Sequence, residues 1–390
     1  MKWKVFREAM APCLRMLPLS LAIAVMAGGA SAALAQGDAG GSTGLTRVAD
    51  IVDADYRLSG FQRGLASPSL KIGYPGATFL RLHFATIDIP DDAVVLIANR
   101  DRSEVHRFAL ADVVRAAGDD GYYAMSVTGD EATVELVGGR EGHPYALHID
   151  KVDVGFEDIV RPLGVIGGDQ RQRAVCLRDS DPEAYRRSRA VARVYGLGYV
   201  ATAWRVGPGN HMLTNHHVIP NDKNPRDFEM WFGYEHTQCN GSNATAAGTK
   251  VRGDRRLQGD PGLDFQLFTL DPGTFSSVGQ YGYLGLDAAP LSVGTPIYLP
   301  QHGAGQPRQI ASVSDDGRQC VITAKAGTNP RYLCDTVGGS SGSPVIDRRS
   351  HRVRVLHNST IGSANQGNGI EFIWPRISAH FPGGVVPGGS

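Results

Sequence analysis

The feature that most limits what this chain can become is its punctuation: apolar and polar residues alternate in short runs, and turn-forming residues close almost every run. Between about Leu45 and Glu157 the runs read "SLKIGY", "TFLRLHFA", "AVVLIAN", "YYAMSV", "ATVELVG" and "YALHIDKV", separated by "YPG", "IPDD", "GDD" and "GGREGHP". A period of two bounded by turns is the mark of half-buried strands, and several such strands in a little over a hundred residues suggest a β-sandwich. No serine, histidine and carboxylate cluster can be assembled by spacing there, so residues 36–160 read as an accessory or pro-domain. After the linker "RPLGVIGGDQRQR", the stretch "SDPEAYRRSRAV" offers one short helix, with Ser180 as its cap and Pro182 in its first turn. Short strands then return up to the tail "PGGVVPGGS", and no long amphipathic helix occurs, so the expected fold class is all-β.

The 390 residues leave room for two domains after an amino-terminal leader. Residues 1–35 read as a secretory signal: Lys2, Lys4, Arg7 and Arg15 precede the apolar "LPLSLAIAVMAGGA", and "ASA" or "ALA" supplies a small-residue cleavage site. The apolar stretch is too short to span a bilayer comfortably. A soluble, exported protein is expected, secreted or periplasmic. Net charge is zero and charged residues make up only 20% of the chain without a basic block, which gives nucleic-acid binding no support. Cys13 leaves with the leader, and Cys176, Cys239, Cys320 and Cys334 suit two disulfides in an exported chain. Three pairings are possible; the short hairpin-like stretch between Cys320 and Cys334 favours Cys320–Cys334 with Cys176–Cys239. None has metal-ligand spacing, and no metal or organic cofactor is expected.

Three motifs in the second half carry chemistry. "MLTNHHVI" sets two histidines at the end of an apolar strand, "GDPGLDFQLFTL" sets Asp264 at the start of another, and "DTVGGSSGSPV" places serines in a glycine-rich turn before a third. Each alone is ordinary: a strand-end histidine, a solvated turn aspartate, a flexible loop. In the order His, Asp, Ser they form a set with a purpose. A serine hydroxyl needs an imidazole to take its proton, and the imidazole needs a carboxylate to fix its tautomer and stabilise its cation.

"TNHHV", "LDFQL" and "GGSSGSP" resemble the chymotrypsin-like serine endopeptidases of bacteria, nearest to the glutamyl and lysyl endopeptidase group, over roughly residues 165–382. The resemblance implies a chymotrypsin-like double β-barrel over 161–384, following the β-sandwich. It selects His217 over His216, Asp264 over Asp260 and Ser341 over Ser340 and Ser343 as the catalytic set. The backbone N–H groups of Gly339 and Ser341 would form the oxyanion hole. "VIGGDQRQR" resembles a mature amino terminus, making Val165 the first residue of the processed enzyme, and His302 in "PQHGAGQPRQI" is expected to be structural. The residue before the nucleophile is Ser340, so the amino terminus cannot pair there with an aspartate as in trypsin. The expected function is secreted hydrolysis of protein or peptide substrates by a monomer. Two alternatives remain: a secreted binding module on a silent protease fold, and an esterase using Ser340 in the G-x-S-x-G frame "GGSSG". The esterase needs alternating helices, which the sequence lacks.

The substrate pocket has two readings. Asp335 lies where trypsin-like enzymes keep the carboxylate that attracts Lys or Arg, while Thr336 and His357 match positions where glutamyl endopeptidases hold donors for a Glu side chain. The orientation of Asp335 decides between opposite substrate charges; the Thr336 and His357 pair holds a slight edge.

Overall fold

The computed structural model describes residues 44–63, 67–117, 121–156 and 165–383; the leader and the linker 157–164 lie outside them. The alternating amino-terminal runs form two antiparallel sheets. In one, strand Pro144–Gly155 lies between Ala49–Phe61 and Phe79–Asp88, and the last is extended by Tyr122–Tyr123 and Val127–Thr128. The other runs Ser69–Gly73, Glu131–Gly138, Ala93–Asn99, Val105–Ala109. Alternate side chains of both sheets meet in one core, with Leu80, Leu82, Phe84 and Leu147 against Ile72, Val95, Val134 and Leu136. This is the sandwich expected from the period of two.

The second half builds two barrels. In the first, Tyr199–Arg205 pairs with Val191–Gly196, followed by Glu229–Phe232, Thr249–Asp260, Phe265–Leu270 and Met212–Thr214. The pairs Trp204 with Leu213 and Arg205 with Met212 close the six strands into a ring. The other sheet has eight strands, ordered Gln172–Arg173, Gln309–Ala311, Ile297–Gln301, Pro344–Asp347, Val353–Ile361, Ala364–Gly369, Asn329–Tyr332, Ile322–Ala326. A bridge between Pro296 and Val321 curls it shut. Trp204, Leu213 and Phe265 from one barrel and Tyr298, Ile346 and Leu356 from the other share a core, capped by Ile370, Ile373 and Ile377 of helix Ile370–Ile377. The cysteines pair as Cys176–Cys239 and Cys320–Cys334.

Two local expectations are corrected. The short helix is Pro182–Ser188, and its cap is Asp181, whose carboxylate accepts from the Ala184 N–H. Ser180 instead donates to the Cys176 carbonyl at 3.2 Å, ending the preceding turn. The chain ahead of the sandwich is also not part of it: Thr46–Arg47 pairs with Tyr199 and Val200 of the first barrel, and the sandwich begins at Ala49.

Sandwich and barrel meet through buried charge. Arg81 lies 3.0 Å from Glu229, both wholly inaccessible to water. Glu229 also accepts from the Ser126 N–H and hydroxyl and from the Trp231 indole, at 2.6–2.8 Å. Burial alone pushes the Glu229 carboxyl up, but Arg81 and Lys250 hold it below its usual range. Tyr195 donates to Asp153 at 2.7 Å, and Lys250 meets Glu104 at 2.6 Å. Removing one partner strands the other charge without water. Arg81→Ala should therefore cost about 3–5 kcal/mol in denaturant unfolding, and a chain cut within 157–164 should elute as one particle. Separation of the two pieces without denaturant would show that this interface does not bind them.

Candidate active site

Strand register brings the first two motifs together. Thr214 pairs with Gln266 across antiparallel strands, so the residues just beyond Thr214 lie beside those just before Phe265. There His217 Nδ1 is 2.8 Å from Asp264 Oδ2, and the His217 N–H donates to Asp264 Oδ1 at 3.0 Å. Asn215 fixes the turn by donating to the Asp264 carbonyl at 2.9 Å. Asp264 itself has φ of 44°, a left-handed backbone that aspartate tolerates better than most residues. Asp260 stays in the turn, accepting from the Gly262 and Leu263 N–H groups.

The serine turn comes from the other barrel and is clipped onto the first by Thr202. The Thr202 N–H donates to the Ser341 carbonyl and its hydroxyl to the Gly339 carbonyl, both at 2.9 Å. Two glycines make the clip possible. At Gly339, φ is 89° and a Cβ would stand only 3.0 Å from the Ala304 nitrogen. At Gly342, φ is 88° and a Cβ would strike the Thr202 carbonyl. Ser340 is fully buried, donating to Gln301 at 2.5 Å and accepting from the Val337 N–H at 3.0 Å. Ser343 donates to the Ser340 carbonyl at 2.6 Å.

Ser341 therefore faces His217 across the seam, while both neighbouring serines serve the turn. Its hydroxyl donates to the Gly44 carbonyl at 3.0 Å, and that same oxygen accepts the Gly339 N–H at 2.8 Å. A Cβ on Gly44 would overlap the Ser341 Oγ and stand 3.4 Å from His217 Nε2, so hydroxyl and imidazole border one small space. His217 Nε2 has no hydrogen-bond partner among the described residues. An imidazole oriented by a carboxylate, beside a hydroxyl and a backbone N–H aimed at a carbonyl oxygen, can support acyl transfer.

The residues expected to line the substrate pocket are all buried. Asp335 is buried, and its two carboxylate oxygens accept from the backbone N–H groups of Ile166 and Gln170 at 2.9 and 2.7 Å. Thr336 donates to Asn365 at 2.9 Å, and His357 Nδ1 is 2.7 Å from the Tyr332 hydroxyl. His302 is buried against the Gln306 carbonyl at 3.0 Å, as a structural residue would be. Three contributors escaped the motif reading: Thr202, Gln301 and Gly44. Only their distant partners mark them. Among the described residues no cluster suits a metal ion, and no helix is long and apolar enough to cross a membrane.

Two tests follow from this packing. Gly342→Ala should destabilise the fold by about 2 kcal/mol or more, against about 1 kcal/mol for Gly362→Ala, which has a positive φ but no neighbour for its Cβ; equal losses would mean that the contact with Thr202 is unimportant. Burial lowers His302 and His357 from 6.5 to about 3, so the folded protein keeps them neutral where the unfolded chain charges them. The unfolded state then binds more protons as pH falls through that window, and Tm should drop from about pH 6.5 towards pH 4. His302→Gln should flatten the drop; an unchanged slope would place the linkage elsewhere.

Residues 201–354 match the model of the trypsin-like peptidase domain. A curated relative, secreted RxLR effector protein 73 of Plasmopara viticola, is 29% identical over 309 residues, covering 72% of this chain and 75% of its own. Among solved structures, a Glu endopeptidase in complex with MPD is 18% identical and covers 55% of this chain and 98% of that chain, with a TM-score of 0.42. A serine endoprotease from Yersinia pestis is 13% identical, covering 50% and 64% respectively, with a TM-score of 0.38. Over residues 201–354 the chain is thus similar to a trypsin-like peptidase domain, and these residues belong to an all-β chain of a sandwich followed by two β-barrels.

Proposed function

We propose that the chain is an exported serine endopeptidase. The observation that carries this reading is the convergence on one space of Ser341, the Asp264-held His217 and the Gly339 N–H. Ser341 Oγ attacks the scissile carbonyl, and His217 Nε2 takes its proton and delivers it to the leaving amine. Asp264 holds the imidazole in the tautomer with its proton on Nδ1 and stabilises the cation that forms. The N–H groups of Gly339 and Ser341 receive the oxyanion. Water, activated by the same imidazole, then hydrolyses the acyl-enzyme. The two disulfides and the effector relative are compatible with work outside the cell.

For the pocket we propose Glu rather than Lys or Arg before the cut bond. The Asp335 carboxylate is already held by two backbone N–H groups, which leaves it less negative charge to offer a substrate cation. Thr336 and a neutral His357 would line the pocket instead, exchanging their present bonds to Asn365 and Tyr332 for a substrate carboxylate. Processing before Val165 would leave Ile166 tied to Asp335.

A second reading has one observation behind it. The Ser341 hydroxyl donates to Gly44 rather than to His217, as it would in a binding module that no longer turns over. Mass-spectrometric mapping of peptides cut from a denatured protein mixture separates the two. Ser341→Ala should lower cutting by ~10⁴- to 10⁶-fold, with wild-type cuts after Glu; cuts after Lys or Arg would return Asp335 to the pocket. Equal, background-level cutting by both proteins, also after removal of the residues before Val48 with the sandwich kept, would favour the binding module.

A further inference from the structure

The chain's own residues occupy the space where a substrate carbonyl would react. Gly44 places its oxygen against the Gly339 N–H at 2.8 Å and the Ser341 hydroxyl at 3.0 Å. The following residues run along the leaving-group side: Thr46 and Arg47 pair antiparallel with Val200 and Tyr199, and Leu45 packs against the first barrel's core. The segment is anchored immediately behind. The Val48 N–H donates to the Gly198 carbonyl at 2.8 Å, the Phe156 N–H to the Val48 carbonyl at 2.9 Å, and Val48 and Ala49 are buried with Phe79, Tyr195 and Val200.

We propose that the groove between Tyr199–Val200 and Gly338–Ser341 is a binding site for this chain's own segment Gly44–Arg47, which acts as a tethered intramolecular inhibitor. The inference rests on the peptidase reading and adds its control. Three details mark the segment as a plug rather than as a peptide about to be cut. The Ser341 hydroxyl donates to the Gly44 oxygen at 3.0 Å, with the Asn358 carbonyl at 3.5 Å, and His217 Nε2 has no partner among the described residues. Gly44 has φ of 71°, a backbone that residues with side chains rarely adopt. A Cβ there would overlap the Ser341 Oγ, so a residue with a side chain cannot bind in this pose. A substrate thus cannot copy the pose and must displace the segment, and the sandwich strand that begins at Ala49 holds the plug at high local concentration.

The test is the rate at which a fluorophosphonate labels Ser341, located by peptide mass mapping. Three proteins are compared: residues 36–390, the same chain with Gly44→Leu, and a chain lacking everything before Val48. The plug predicts that both altered proteins label roughly 10-fold faster or more, and that the peptide STGLTRVAD added in trans slows the truncated form. The truncation keeps the test decisive if Gly44→Leu folds poorly. Equal, rapid labelling of all three would overturn the plug and leave the peptidase standing. No labelling of Ser341 in any form would overturn the peptidase reading, and the plug with it.

Discussion

The ion pair between Arg81 and Glu229 is the contact on which the arrangement of the domains depends. Both side chains are removed from water, one on a sandwich strand and the other on a barrel strand. Neither could stay charged there alone. Each charge therefore takes its ion-pair partner from the other domain, with Lys250 of the barrel also acting on Glu229, and hydrogen bonds from Ser126 and Trp231 complete the shell around the carboxylate. The sandwich is in this sense a fixed component of the first barrel, whatever happens to the peptide linking them.

A fixed sandwich has consequences at the seam between the barrels. Strand Ala49–Phe61 is held in place, so the residues just before it are delivered to Gly198 and Val200 and on to the serine turn. The seam is assembled by similar long-range contacts. Thr202 of one barrel grips the turn of the other, and two glycines remove the side chains that would block the grip. Geometry at Ser341 is thus set by rigid strands on both sides, with the flexible residue types confined to where backbones touch.

The parts visible in the sequence are those whose cause is local. Alternation revealed the sandwich, and the three motifs revealed their strand ends because His217 and Asp264 need only the pairing of two neighbouring strands to meet. The choice between Ser180 and Asp181 as helix cap was not visible, since both are good caps and the difference lies in a bond to Cys176. Arg81 and Glu229 look like ordinary strand charges until the domains are placed together. The direction of Asp335 is decided by Ile166 and Gln170, far earlier in the chain. Gly44 was the least legible residue: it ends the stretch GDAGGSTG, which carries no alternating apolar pattern, and only the folded seam gives its carbonyl a partner.

The most direct test of the account is a crystal structure of the protein after reaction with a peptidyl phosphonate. The account predicts a tetrahedral phosphorus on Ser341 Oγ, with one oxygen at the present position of the Gly44 carbonyl, accepting the Gly339 N–H, and residues 44–47 displaced from the groove. An adduct on Ser340, or an unreacted Ser341 with the groove open, would contradict it.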